Sequence, residues 1–289
     1  MNEHQLRKAL VTFGRRCYER NLLVAMDGNL SARLPSGDIL CTAAGCHKGF
    51  LTDDDLVVID RRGNRLRGLR EPTSEIAMHL ACYDARDDIN AVVHAHPPIA
   101  VAFTIAGVSM ARCVLPETVL TLGSIPTVVY ETTGSTALAA RVAQAILEHD
   151  AILMDRHGAV CVGESVLEAF CRLEVLEHTA LITKTARDLG TISDLPQEEV
   201  VRLRSMGLQR YGGPPTVMSR TETERDDVPQ VCTDCSGCPS PTGVGVAAPV
   251  DLRMARVSAQ PLGVLSRGRS DEEALEARVL AEVLKVLTE

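Results

Sequence analysis

Apolar residues recur along the first 190 positions with two different periods, and these periods predict the secondary structure. A spacing of three and four residues predicts helices over residues 5–19, 135–148 and 165–189. Short apolar runs rich in β-branched residues predict strands over residues 38–42, 56–60, 91–96 and 151–163, the last as a strand pair or one bent strand. Helices and antiparallel-looking strands alternate irregularly, without the regular βαβ rhythm of a doubly wound fold. The pattern therefore predicts an α/β domain with largely antiparallel strands rather than a doubly wound one.

A further helix is predicted after Pro72-Thr-Ser-Glu75 and through about residue 85. Thr73 or Ser74 is expected to be its N-cap, which places Glu75 in the first turn. A carboxylate at that position has a purely structural interpretation, because negative charge stabilises the N-terminal end of a helix dipole.

The character of the sequence changes near residue 211, and we divide the chain there. Residues 1–211 are predicted to form one domain, and residues 212–269, rich in Pro, Gly, Ser and Thr, a flexible linker. Residues 270–289 are predicted to form an amphipathic helix with Ser270 as its N-cap. Its apolar face comprises Leu275, Val279, Leu280, Val283, Val286 and Leu287.

Composition narrows the possible classes of protein. Of 289 residues, 45% are hydrophobic, which is typical of a globular chain. The net charge of −8 argues against a nucleic-acid partner, because neutralising phosphates requires clustered Lys and Arg. No run of about 18 apolar residues is present, and the first residues resemble a polar helix rather than a signal peptide. We expect a cytoplasmic protein without a membrane partner.

The ten cysteines fall into two groups. Seven are dispersed through apolar contexts and are expected to be reduced core residues: Cys17, Cys41, Cys46, Cys82, Cys113, Cys161 and Cys171. Cys232, Cys235 and Cys238 lie in the linker with the spacing of metal or iron–sulfur ligands, although a fourth nearby ligand is missing. The alternative is that these three are free or oxidised linker thiols.

Three histidines have the pattern of a metal site. His94 and His96 lie two residues apart in a predicted strand, so both side chains point to the same face. His157 lies in a second strand-like run, 151–162, that a paired strand could bring beside them. Three imidazoles favour Zn²⁺ or a similar first-row ion with open coordination positions. The alternative is that each histidine is merely packed or exposed.

Five motifs in order resemble the class II aldolase/adducin family, specifically its fuculose-phosphate aldolase type. They are Gly28-Asn29, Thr42-Ala-Ala-Gly45, Pro72-Thr-Ser-Glu75, His94-Ala-His96 and Arg156-His-Gly158, and the resemblance covers about residues 4 to 210. It implies a single three-layer α/β/α domain with a central, mostly antiparallel sheet. It also implies a homotetramer with active sites between subunits.

The resemblance also implies a reaction and roles for residues. His94, His96 and His157 would hold one Zn²⁺ per subunit, and Glu75 would exchange a proton with the enediolate. The phosphate would be bound by Gly28, Asn29, Gly45, Thr73 and Ser74, each of which is by itself an ordinary turn or cap residue. The implied reaction cleaves a deoxy-ketose 1-phosphate, of the L-fuculose or L-rhamnulose type, to dihydroxyacetone phosphate and lactaldehyde.

The chain departs from this family type in its tyrosines. A proton-donating tyrosine is expected about nineteen residues after the second histidine, where the chain reads Val114-Leu-Pro-Glu-Thr118, and a second is expected where Met206 stands, with Tyr211 five residues on. Glu117 is the substitute that we predict, and its position resembles the acid/base carboxylate of methylthioribulose-phosphate dehydratases. Glu117 is alternatively a structural residue at a helix start.

Other activities remain open at this point. The superfamily also contains sugar-phosphate dehydratases and epimerases, and a silent scaffold or shell-binding member is a further alternative. Pentulose-phosphate epimerases typically carry Asp where this chain has Glu75, which favours aldol cleavage. The helix over residues 270–289 resembles the encapsulation peptides of bacterial microcompartments, so shell or cargo proteins are expected partners. The alternative is that it docks on its own domain or tetramer.

Overall fold

A computed structural model describes residues 1–211, and the expectations for the linker, its three cysteines and the helix over 270–289 lie outside this range. The helices of the described chain are α1 (Glu3–Glu19), α2 (Ile76–Ala85), α3 (Pro98–Ile105), α4 (Pro116–Thr121), α5 (Thr136–Ile146), α6 (Val166–Leu189) and α7 (Gln197–Tyr211). The strands are β1 (Asn29–Arg33), β2 (Ile39–Thr42), β3 (Leu56–Ile59), β4 (Arg65–Arg67), β5 (Ala91–Ala95), β6 (Thr127–Val128), β7 (Ala151–Met154) and β8 (Gly158–Gly163).

The eight strands form one sheet in the order β4-β3-β2-β1-β5-β8-β7-β6. Every neighbouring pair is antiparallel except β6 and β7, which are parallel. Strand β5 lies in the middle, where Asn29 of β1 is opposite His94 and Ala159 of β8 is opposite Ala95. The sheet confirms the predicted α/β fold with mostly antiparallel strands.

Helices cover both faces of the sheet. One hydrophobic core lies between the sheet and helices α1, α3 and α6, and a second lies between the sheet and helices α2 and α5. Alternate residues of β5 belong to different cores, since Val93 packs in the first and Val92 in the second. Because both faces are buried, the central strands are nearly continuous apolar runs, as the sequence indicated.

The start of α2 differs from the sequence-based prediction. The helix begins at Ile76 with Glu75 as its N-cap residue, so Thr73 and Ser74 precede the cap and Glu75 is not in the first turn. The reason is that the preceding chain still pairs with the chain at the end of β2: Pro72 forms an antiparallel bridge with Ala43, and the Thr73 amide donates to the Thr42 carbonyl at 3.2 Å.

Six of the seven cysteines in the described chain are buried, in agreement with their prediction as core residues. Cys171 is the exception, because it is exposed on α6. No helix within residues 1–211 is long and apolar enough to cross a membrane.

Candidate metal centre and adjoining cavity

His94 and His96 lie at the end of the central strand β5. His94 is the fourth residue of that strand and is fully buried, whereas His96 follows the strand and is partly exposed. Their Nε2 atoms are 3.1 Å apart. The alternation of side chains along an extended backbone therefore brings both imidazoles into one space, as the spacing predicted.

His157 reaches the same space from a turn rather than from a strand. It lies in the three-residue connection between β7 and β8, which corrects its placement in a strand-like run. Arg156 adopts a left-handed conformation with φ of 56°, and the His157 amide donates to the Met154 carbonyl at 3.2 Å. This tight turn places the His157 ring 4.8 Å from that of His94 and 5.3 Å from that of His96, measured between centroids.

Gly158 permits this approach. A Cβ atom there would lie 2.7 Å from Cδ2 of His96 and 3.0 Å from Cε1 of His94, and it would also clash with the Ala95 carbonyl oxygen. The absence of a side chain at residue 158 is therefore what allows β8 to run against both histidine rings.

The three imidazoles fit a divalent cation. Their candidate ligand nitrogens all lie within 4.8 Å of one another, and two nitrogen ligands of one tetrahedral ion are about 3.3 Å apart. The His94 Nδ1–H donates to the Ala159 carbonyl at 2.9 Å, which leaves the Nε2 lone pair facing the centre. Burial, with the neighbouring His94 and His157 rings acting in the same direction, lowers the pKa of His96 to about 4, so its ring is neutral at pH 7.

Two buried polar atoms at this centre have no hydrogen-bond partner, namely Nδ1 of His157 and Oε1 of Glu75. Unpaired buried polar atoms are rare in folded proteins and indicate a missing partner such as an ion. The donor set and these unpaired atoms indicate that His94, His96 and His157 can hold a metal ion.

Glu75 closes the centre on the side of α2. Its Oε2 accepts a hydrogen bond from Asn29 Nδ2 at 2.9 Å and lies 3.2 Å from His94 Nε2, while its Oε1 lies 3.2 Å from His157 Nε2. Burial raises the pKa of Glu75, but the neighbouring imidazoles of His157 and His94 and the Asn29 amide outweigh burial and hold it well below its usual value. The side chain makes no capping bond to α2, so the centre and not the helix end determines its position.

A cavity of about 350 Å³ opens beside the centre. All five residues that were predicted to bind phosphate line it: Gly28, Asn29, Gly45, Thr73 and Ser74. Glu75, His96 and His157 form part of the same wall. Gly28 and Gly45 have φ values of 65° and 66°, a conformation that favours glycine and turns the loop backbones.

Lys48 also lines this cavity, although it was not predicted from the sequence. It is 2% exposed, and its ammonium donates to the carbonyls of Met26 and Cys46 at 2.8 Å each. Burial lowers the pKa of Lys48, and Cys46 and nearby carboxylates oppose that change. Of the residues that line the cavity in the described chain, it is the only Lys or Arg. The one available signal was a lysine in a short segment bounded by two glycines, Gly45-Cys-His-Lys-Gly49.

Glu117 lies outside the cavity and the histidine centre of this chain. It is exposed in the first turn of α4. Its predicted acid/base role therefore stays a prediction, and within one chain its position agrees with the structural alternative.

Comparisons with known proteins agree with this geometry. The family described as Class II Aldolase and Adducin N-terminal domain matches residues 8–183. An L-fuculose phosphate aldolase of Methanococcus maripaludis is 36% identical over 173 residues, which are 60% of this chain and 92% of that protein. A 3-oxo-tetronate 4-phosphate decarboxylase of Cupriavidus necator is 34% identical over 216 residues, which are 72% of this chain and 99% of that protein.

Solved structures are similar as well. YgbL of Klebsiella pneumoniae, described as a putative aldolase/epimerase/decarboxylase, has a TM-score of 0.67 and 32% identity and covers 71% of this chain and 100% of its own. An L-fuculose 1-phosphate aldolase has a TM-score of 0.66 and 29% identity, with 71% and 97% covered.

Proposed function

The chain belongs to the class II aldolase/adducin family and is a lyase, and on that premise we propose that it cleaves a deoxy-ketose 1-phosphate with Zn²⁺ as cofactor. The proposed substrate is of the L-fuculose or L-rhamnulose type, and the products are dihydroxyacetone phosphate and lactaldehyde. One observation carries the proposal: Glu75 spans His94 and His157 at 3.2 Å from each, on the wall of a cavity lined by the five predicted phosphate-binding residues.

The proposed chemistry divides between the centre and the cavity. A bound Zn²⁺ supplies Lewis-acid stabilisation of negative charge on the substrate oxygens. In the cleavage, the bond between C3 and C4 breaks, C4 becomes the aldehyde after its hydroxyl loses a proton, and the electron pair stays on C3. The proton lost from the C4 hydroxyl balances the proton gained at C3, and Glu75 is placed to take up a proton and deliver it to C3. Gly28, Gly45 and Ser74 supply amides and a hydroxyl to the phosphate without a requirement for many cations.

A substrate panel tests this proposal. Purified, zinc-loaded protein is incubated with L-fuculose 1-phosphate, L-rhamnulose 1-phosphate and a pentulose 5-phosphate, and dihydroxyacetone phosphate and lactaldehyde are measured. We expect cleavage of a deoxy-ketose 1-phosphate that is lost on chelation and restored by Zn²⁺. Absence of cleavage with every ketose phosphate would contradict the proposal.

Decarboxylation of a phosphorylated 3-oxo acid is the second candidate. Similarity to the 3-oxo-tetronate 4-phosphate decarboxylases extends over 207 to 216 residues, against 173 to 183 for the L-fuculose phosphate aldolases. Loss of CO₂ from a 3-oxo acid also leaves an enediolate, but it requires no base to deprotonate a hydroxyl. The lack of a tyrosine at Val114–Thr118 suits that reaction. Release of CO₂ from 3-oxo-tetronate 4-phosphate, without ketose cleavage, would favour this candidate.

The remaining alternatives give other products in the same assays. A dehydratase would release water from the sugar phosphate, an epimerase would return a stereoisomer, and a catalytically silent scaffold would leave every substrate intact. The last outcome together with full zinc occupancy would favour a binding role.

Assembly and location are further parts of the proposal. We propose a cytoplasmic homotetramer that the helix over residues 270–289 directs into a bacterial microcompartment. The apolar face of that predicted helix is the supporting observation.

Deleting residues 212–289 should leave the tetramer and its catalysis intact, and the segment 270–289 fused to a fluorescent protein should co-localise with shells. Val279→Asp with Val283→Asp should abolish co-localisation by placing two charges on the apolar face. Dissociation on truncation with a diffuse fusion would contradict the proposal.

Cys232, Cys235 and Cys238 remain a hypothetical metal or iron–sulfur site, with ligands shared between subunits because one chain offers three close thiols. Anaerobically purified protein should then contain iron, or zinc beyond one ion per chain. Absence of both would leave these residues as free thiols.

A further inference from the structure

We propose that His79 is a positioning residue that fixes the side-chain amide of Asn29 and, through it, the carboxylate of Glu75. The proposal rests on the proposed function only in that Glu75 exchanges the substrate proton. His79 lies outside the metal centre and is fully buried. A polar side chain at such a position requires hydrogen-bond partners.

The residues involved form two facing rows. Glu75, His79 and Tyr83 are spaced by four residues and therefore lie along one side of α2. Asn29 and Ser31 lie two residues apart on one face of β1. Packing of the helix on the strand pairs these rows and encloses the polar groups between them, since all but Glu75 are buried.

Hydrogen bonds join the two rows into one continuous chain. Tyr83 Oη is 2.8 Å from Ser31 Oγ, which is 2.6 Å from His79 Nδ1. His79 Nε2 is 2.5 Å from Asn29 Oδ1, and Asn29 Nδ2 is 2.9 Å from Glu75 Oε2.

The chain has one consistent polarity, which is set by Glu75. A carboxylate only accepts, so Asn29 must present its NH₂ group to Glu75 and its carbonyl to His79. His79 must then carry its proton on Nε2 in order to donate to Asn29 Oδ1, and Nδ1 must accept from the Ser31 hydroxyl. Tyr83 consequently donates to Ser31. Burial lowers the pKa of His79 to about 3, so the ring is neutral and can both donate and accept.

This polarity has a consequence at the metal centre. If the Asn29 amide rotated by half a turn, its carbonyl would face the Glu75 carboxylate, and two acceptors would repel each other. In the tautomer that carries the proton on Nε2, His79 opposes that orientation, because the rotated NH₂ group would then face another donor. Glu75 Oε2 thus stays bound to Asn29, and Oε1 stays directed at His157.

Proton exchange measures the effect without requiring the cleavage substrate. Hydrogen–deuterium exchange at the carbon of dihydroxyacetone phosphate is followed by proton NMR with the zinc-loaded full chain. His79→Phe keeps the ring volume but removes both nitrogens, and it should lower the kcat of exchange about 100-fold, with KM within about threefold and zinc content unchanged. His79→Gln, whose amide can donate to Asn29, should recover about tenfold of that loss.

Tyr83→Phe is the matched control at the far end of the chain. Ser31 can still donate to His79 without the tyrosine hydroxyl, so exchange should stay within about twofold of wild type. His79→Phe at wild-type rate, or His79→Phe and His79→Gln with equal losses, would overturn the proposal.

A nitrogen NMR spectrum gives a second readout that does not depend on activity or on the folding of a variant. In wild-type protein labelled with ¹⁵N-histidine, the His79 ring should be neutral with its proton on Nε2 at pH 7. A proton on Nδ1, or on both nitrogens, would overturn the proposal. Wild-type protein without exchange would instead contradict the proposed function, and the spectrum would then decide the hydrogen-bond chain by itself.

Discussion

The Nε2 atoms of His94 and His96 face each other at 3.1 Å, and two unprotonated nitrogens at this distance repel unless a proton or a cation lies between them. We expect His94→Ala, His96→Ala and His157→Ala each to lose bound metal and activity together. Metal per chain is measured by inductively coupled plasma mass spectrometry, with the exposed His178→Ala on α6 as the control. Full metal occupancy in all three variants would refute the site.

Glu75→Gln should retain the fold and the metal but lose most proton exchange at the substrate carbon. The amide has nearly the same shape but cannot accept that proton, and a positioned acid/base contributes about 10²- to 10⁴-fold. Exchange of the carbon-bound hydrogen of dihydroxyacetone phosphate is the measurement. Turnover at the wild-type rate would show that another base acts.

Glu117→Gln is the paired test of the predicted substitute for tyrosine. If Glu117 acts as an acid or base from a neighbouring subunit, cleavage should fall about 100-fold while metal content stays constant. Steady-state kinetics on the best substrate of the panel gives the answer. Unchanged kcat and KM would leave Glu117 as a surface residue of the first turn of α4.

Lys48→Met should weaken both the fold and phosphate binding. The substitution leaves the carbonyls of Met26 and Cys46 without their donor, which should cost about 2–3 kcal/mol in the free energy of unfolding. It also removes the positive charge from the cavity, so the Kd for dihydroxyacetone phosphate should rise about tenfold. Denaturation and calorimetric titration measure the two effects, with Lys184→Met, exposed on α6, as the control. Equal affinity in both variants would exclude Lys48 from phosphate binding.

Acid should destabilise the protein partly through His79. Its pKa is about 3 in the folded state, against about 6.5 when unfolded, so between these values the unfolded chain binds the extra proton. The stabilisation is complete above pH 6.5 and is lost as the pH falls, by about 1.4 kcal/mol per pH unit from this one group. Urea denaturation of wild type and His79→Gln between pH 6 and 4 should show a smaller slope in the variant. Identical slopes would mean that His79 is protonated in the folded protein.

The parts of the site that follow from local spacing could be predicted from the sequence. His94 and His96 are two residues apart in an apolar run, and strand geometry alone places them together. The position of His157 could not be predicted from local spacing. A left-handed Arg156 forms the turn, whereas the apolar residues on both sides suggested a continuing strand. The start of α2 depended on the pairing of residues 72–73 with residues 42–43, about thirty positions away in the sequence.

The site residues that were not predicted bond either to residues far away in the sequence or to backbone atoms. His79 bonds to Asn29 and Ser31, about fifty residues earlier, and Lys48 bonds to two backbone carbonyls that no side-chain pattern reveals. Helix α7 is largely polar and packs on α4 through few apolar residues, including Val200, so its sequence shows little periodicity. Strands β4 and β6 comprise three and two residues and are too short for a pattern.

The close packing of Gly158 against both histidine rings has a practical consequence for redesign of this enzyme. A mutagenesis library that aims to change substrate choice by varying the turn after β7 can change the exposed Arg156 to residues that tolerate its φ of 56°, such as Gly or Asn, whereas even alanine at residue 158 would displace the imidazoles. Such libraries should therefore keep codon 158 fixed. An apparent loss of selectivity in a clone that carries a change there should be attributed to lost metal before any new specificity is claimed.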